Sequence, residues 1–260
     1  MRGNRGGAFA RASEFLRGTL ELVVDGIEPI DGGWVSRSRS LPLVWVANQV
    51  RVSRPIGYGE ALALAEEHQR GLPYRQLTVD HEASGRRLEP AFRADGWEVG
   101  REVIMALTRT PDRQVDTGAV IDAPEEDALA LVRRWLAEDP DLNQTDESLD
   151  QLREFNRLTW RARDARRLGM LDGDGSLSAV TTLYSDGDVA QVEDVYTVPE
   201  ARGRGFARAL VTRAVSLARE GRHELVFIVA DDDDWPKQLY EKIGFDAVGL
   251  AWGFHRKRGR

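Results

Sequence analysis

Val195-Tyr-Thr-Val-Pro-Glu-Ala-Arg-Gly-Arg-Gly-Phe-Ala-Arg-Ala-Leu210 runs from an apolar strand into Pro199, then through a loop holding Gly203 and Gly205, then directly into a helix. Ala207, Leu210, Val211, Ala214, Leu217 and Ala218 recur at the spacing of one helical face, so the segment after the loop packs as a helix. Glycines let backbone N–H groups converge with no Cβ in the way, and the first helical turn adds unpaired donors and the positive end of its dipole. Such a concavity suits a pyrophosphate. Arg202 and Arg204 would add charge-assisted hydrogen bonds from the loop itself.

Other glycine-loop readings fail on single residues. A dinucleotide fingerprint starting at Gly203 needs Gly or Ala where Arg208 stands, and the Gly-Lys-Ser/Thr of a Walker loop is nowhere in the chain. Arg202-Gly-Arg-Gly205-Phe-Ala207 instead resembles the Arg/Gln-x-x-Gly-x-Gly/Ala signature of the GNAT superfamily of acyltransferases. Downstream, Leu239-Tyr-Glu-Lys-Ile-Gly-Phe245 resembles the second signature of that family at the expected distance. The resemblance implies a mixed-sheet α/β (α+β) fold, acetyl-CoA as co-substrate and no metal. It also implies direct attack of an amine on the thioester, with no acyl-enzyme.

The residues it singles out follow the same order. Backbone donors at Tyr196, Thr197 and Val198 would pair the pantetheine amides and polarise the thioester carbonyl. Arg202, Gly203, Arg204, Gly205, Phe206 and Ala207 would hold the pyrophosphate. Tyr240 stands at the family's general-acid position, where a phenol could protonate the departing thiolate. Glu193 is the candidate base for the amine, on the side of the strand shared with Val195 and Thr197; alternation turns Asp194 the other way, toward the surface or a partner. Asp231 to Asp234, ahead of Trp235-Pro236, read as helix-capping chemistry, and Asp233 and Pro236 depart from the Asn and Ala usual in the family. Arg161, Arg163, Arg166 and Arg167 read as a solvated face.

Composition narrows the classes further. The 260-residue chain has no cysteine, which excludes disulfides, thiolate metal sites and a Cys nucleophile and fits a cytoplasmic protein. A net charge of −7 argues against nucleic-acid binding, and no apolar run approaches the roughly 20 residues of a membrane span. His255 to Arg260 read as a frayed, solvated terminus, Asn143-Gln-Thr145 as a chance glycosylation match, and Asp172-Gly-Asp-Gly-Ser176 as a hairpin turn. Monomer and homodimer both remain open.

The chain also echoes itself. Gly57-Tyr-Gly59 answers Gly203-Arg-Gly205, and Phe92-Arg-Ala-Asp-Gly96-Trp97 answers Tyr240-Glu-Lys-Ile-Gly244-Phe245, each within a run of strand, helix, strand, helix, strand. The reading is two GNAT-like units in tandem, the first truncated: a disordered leader at 1–18, a degenerate unit at 19–112 and an N-acetyltransferase unit at 113–260. The first unit has Ile56 and Tyr58 in place of the loop arginines, Glu60 at its helix start and Phe92 in place of Tyr240. Strands are expected at residues 20–24 and along 43–52. The expected activity is acetyl transfer to a primary amine of an unidentified acceptor, and the alternative is a coenzyme A-binding scaffold without turnover.

Overall fold

A computed structural model describes residues 2–138 and 145–257, leaving Asn143 and Gln144 of the glycosylation match outside. The first half comprises α1 (Arg2–Glu21), β1 (Gly26–Ile30), β2 (Gly33–Arg37), β3 (Val50–Val52), α2 (Tyr58–His68), β4 (Tyr74–Val79), α3 (Glu82–Ala94) and β5 (Glu98–Leu107). The second comprises β6 (Ile121–Asp122), α4 (Glu125–Glu138), α5 (Asp146–Ala162), β7 (Arg166–Leu171), β8 (Leu177–Asp186) and β9 (Val189–Thr197). It ends with α6 (Phe206–Glu220), β10 (Leu225–Asp231), α7 (Pro236–Ile243) and β11 (Phe245–Lys257).

All eleven strands form one sheet, in the order β1-β2-β3-β4-β11-β5-β10-β9-β8-β7-β6. The order contains an exchange. β11, the last strand of the second half, lies beside β4 of the first, while β5 of the first lies beside β10 of the second. The two exchanged strands then pair with each other, antiparallel, and join the halves. Side chains alternate along β5, so Val103 and Met105 enter the core beneath α6, while Ile104 and Ala106 enter the core beneath α1 and α4. At its far end β11 docks tightly under α3: a Cβ on Gly85 would lie 2.2 Å from the ring of Trp252, so only glycine lets that strand close on that helix.

Several expectations change. The leader is a helix: Ala8, Phe9, Ala12, Phe15 and Leu16 recur at helical spacing and pack on the sheet, Phe15 meeting the Phe227 ring edge-on at 5.5 Å. That helix runs through Leu20 and Glu21, which displaces the strand expected at 20–24. Within 43–52 only Val50–Val52 is strand, preceded by a single 3-10 turn at Trp45–Ala47. The terminus is not frayed through Lys257: His255 to Lys257 pair with Tyr74 to Gln76 on β4, and Arg256 lies 4.6 Å over the Trp97 ring. Residues 172–176 are a hairpin turn closed by the Asp172 and Asp174 side chains on backbone N–H groups.

Candidate active site

β9 and β10 run parallel and paired only from Val189–Val192 against Leu225–Ile228. Beyond that they part. β9 stays on β8 as far as Thr197, but its register slips between Thr182↔Glu193 and Val180↔Tyr196, so Asp194 and Val195 together face Thr181. This is a bulge, and Asp194 takes the left-handed conformation it demands, with φ of 55°. After it, Val198 gives its N–H to the Ser178 carbonyl at 2.9 Å. Alternation along the ladder then turns the Thr197 peptide to the open side, where its carbonyl accepts from Arg202 Nε at 3.1 Å.

In the cleft between the parted strands lies a cavity of 540 Å³ whose lining includes Tyr196, Thr197, Arg202, Gly203, Gly205, Phe206, Ala207 and Tyr240. Gly203 and Gly205 have φ of 77° and 86°, and no atom lies within 4 Å of a Cβ built on either; conformation rather than space requires glycine there. α6 therefore begins uncapped. No side chain accepts from its first turn, no acid stands in that turn, and the first backbone bond back to Gly205 comes from Ala209. The N–H groups ahead of Ala209 and the helix dipole face the cavity with no internal acceptor.

Three of the residues singled out in the sequence lie elsewhere. Val198 is buried and its N–H is spent on β8, so it is no donor to the cavity. Arg204 turns back to Asp172 at 2.7 Å and stacks 4.6 Å from the Phe206 ring. Glu193 opens into a second cavity of 280 Å³ that meets β9 one step earlier, at Gln191, Glu193 and Asp194. The bulge breaks the alternation, which is why Asp194 is not at the surface: it is 7% exposed and accepts from Trp160 Nε1 at 3.2 Å. Arg161, Arg163 and Arg166 pair with Glu125, Asp186 and Asp122, but the run is not the solvated face expected: the Arg163 side chain is 9% exposed and Arg167 lies 5.5 Å over the Trp160 ring.

The second cavity belongs to both halves. β9 and α5 (Phe155, Asn156) meet Leu16 and Leu20 of α1, Trp34, Trp45, Arg51 and Glu102 there. Arg51 is locked in a fork on Asp80, with two bonds of 2.8 Å. Glu102 lines the cavity and keeps exposed surface there, and desolvation, with Asp80 and Asp231 nearby, pushes its carboxyl up against the pull of Arg51. Desolvation, then Asp194, pushes Glu193 up to about 8. Tyr240 is 5% exposed, and burial followed by repulsion from Glu193 and Asp234 holds its phenol well above the usual range. Tyr196 is pushed up to about 12 by burial and its 2.7 Å bond to Glu138.

Sequence reasoning missed Trp135, Trp235, Arg113 and Lys242 in the first cavity and Glu102 in the second. Glu102 carried a signal, an acid directly ahead of the apolar run Val103 to Leu107; Arg113 carried none, since it sits in the linker between the halves.

The corresponding start in the first half is closed. β3 and β4 stay paired to their ends, with Asp80 N–H on the Val52 carbonyl at 2.9 Å, so no cleft opens. Gly57 caps α2 with φ of −96°, not left-handed, and Glu60 in the first turn is bound to Arg54.

A mixed sheet parted beside an uncapped, glycine-opened helix start defines a GNAT-type fold. Residues 129–245 match the Acetyltransferase (GNAT) family model. The mycothiol acetyltransferase of Beutenbergia cavernae is 30% identical over 167 residues, covering 59% of this chain and 56% of that protein, so the chain matches little more than half of that relative. A conserved protein of unknown function from Staphylococcus epidermidis superposes with a TM-score of 0.72 at 14% identity, over 92% of this chain and 96% of its own. A tandem GNAT protein from the clavulanic acid biosynthesis pathway gives 0.54 at 15% identity, over 88% and 79%. At these identities the structural likeness concerns the fold. No helix among the described residues is long and apolar enough to cross a membrane.

Proposed function

We propose that the chain transfers an acetyl group from acetyl-CoA to a primary amine, the donor in the larger cavity and the acceptor in the smaller. The observation that carries this reading is that β9 lines both cavities at successive residues, with Tyr240 in one and Glu193 in the other, and the charge of Glu193 raising Tyr240. The glycine loop and the first turn of α6 fit a pyrophosphate, and Arg202 lines the same wall. Thr197 offers the open-side backbone donor to the thioester carbonyl.

Glu193 takes a proton from the incoming ammonium, and the neutral nitrogen attacks the carbonyl carbon. The carbon–sulfur bond breaks, the thiolate takes the Tyr240 proton, and the second proton on the new amide nitrogen leaves to water, from which the Tyr240 phenolate is reprotonated. The two proton movements assist each other. While Glu193 is charged it opposes ionisation of Tyr240; once protonated it no longer does, so uptake at one site eases release at the other. A base held near pH 8 is matched to an amine.

The division into units at residues 19–112 and 113–260 belongs to the same proposal, with the first neither binding coenzyme nor catalysing but walling the acceptor. Acetyl-CoA consumption with a panel of primary amines tests the whole. Tyr240→Phe should lower kcat at least tenfold with donor affinity kept, on the scale of general-acid catalysis at about 10²–10⁴. Stoichiometry of two coenzymes per chain, or unaltered turnover in Tyr240→Phe, would overturn it.

A further inference from the structure

The larger cavity has cations beyond those the pyrophosphate needs. Besides the glycine loop and Arg202 its lining includes Arg208, Arg113 and Lys242. Arg208 is 7% exposed and committed to Asp112, with bonds of 2.6 and 3.4 Å. Asp112 also gives its backbone N–H to the Lys242 carbonyl at 2.8 Å. Both contacts pin the linker between the halves against α6 and α7 and fix where the next residue, Arg113, stands. Among the described residues the side chains of Arg113 and Lys242 make no ion pair or hydrogen bond; Asp112 is bound to Arg208 and only feels the Arg113 charge.

Two cations from different elements, neither in an ion pair among the described residues and both lining a cavity that already has a pyrophosphate cradle, call for a second anionic group on the same ligand. We infer that Arg113 and Lys242 form a subsite for the 3′-phosphate on the ribose of coenzyme A. The inference rests on the coenzyme reading of the cavity and names which part of the donor the linker recognises. A guanidinium matches a phosphate in a paired, forked geometry and an ammonium adds a point charge, so the pair separates coenzyme A from any donor whose pantetheine ends without that phosphate. This makes the donor a free coenzyme in preference to a pantetheine tethered to a carrier protein. It also gives the linker a task besides connecting the halves.

The test is calorimetric titration of the full chain with coenzyme A and with 3′-dephospho-coenzyme A, for the unaltered protein, Arg113→Ala and Lys242→Ala. The unaltered protein should bind coenzyme A about tenfold or more tightly than its dephospho form, the scale of one charge-assisted contact. Arg113→Ala should weaken coenzyme A by a like factor while leaving the dephospho form within about twofold, and Lys242→Ala should do the same to a smaller extent. Equal affinity of the unaltered protein for both ligands would overturn the inference and leave the coenzyme reading intact, as would a variant that weakens both ligands alike. Binding of neither ligand would overturn the coenzyme reading, and this inference with it. Circular dichroism of each variant separates lost binding from lost folding, and Arg113→Lys should restore part of the preference if charge alone is read.

Discussion

Replacing Glu193 with Gln should make the protein more stable above neutral pH, by an amount set by how far its carboxyl is displaced. In the unfolded chain this group ionises near 4.5; in the folded protein burial beside Asp194 delays ionisation to about pH 8. The folded-state value is the raised one, so the stability this group contributes is present in full below 4.5 and is lost as pH climbs toward 8. At about 1.36 kcal/mol per pH unit the full loss is about 5 kcal/mol, an upper bound because Asp194 and Glu193 share the burden. The amide that replaces the carboxyl cannot ionise, so the unfolding free energy of Glu193→Gln should lack that slope. The assay is urea unfolding of both proteins at half-unit steps from about pH 5 to about pH 9, comparing the difference between them, which cancels the titrating groups that do not interact with Glu193. Parallel curves across the whole range would refute the reasoning, because they would mean that Glu193 ionises in the folded protein as it does in water. The same displacement should place a rising limb near pH 8 in kcat/KM for the amine.

Gly205→Ala forces a Cβ residue to a φ of 86°, costing about 1–2 kcal/mol, and should weaken coenzyme A binding at least tenfold by closing the start of α6; a thermal melt and a titration report the two effects separately. Phe15→Ala removes a ring buried against Phe227 and should cost about 3–5 kcal/mol; it should also raise the KM of the amine more than that of the donor, because neighbouring Leu16 and Leu20 line only the smaller cavity.

The second half was legible where local chemistry repeats a pattern. Gly203, Gly205 and the apolar face of α6 announce a strand, a loop and a helix with no reference to anything distant, and so does Tyr240 ahead of Gly244. The exchange of β5 and β11 left no trace, because an apolar strand reads alike whichever neighbour it pairs with. Helix α1 was in principle readable from Phe9, Ala12, Phe15 and Leu16, but the glycines and arginines around them gave the segment the composition of a loose leader. The placing of Asp194 failed for a different reason: strict alternation held up to Glu193, and a one-residue bulge, which no composition marks, reversed it. The smaller cavity was hidden altogether, since Trp34, Trp45, Arg51 and Glu102 meet Glu193 only through the assembled sheet.

The exchange of strands has a consequence for how the chain reaches its folded form. The first half cannot complete its own sheet from its own residues: the place beside β4 stays open until β11, synthesised after everything else in the fold, arrives to fill it. Until then the face of α3 that Trp252 will cover and the free edge of β4 are exposed together, an invitation to wrong pairing. A duplicated unit that kept its own last strand could fold as it emerged. This one ties its two halves to the late pairing of a single strand.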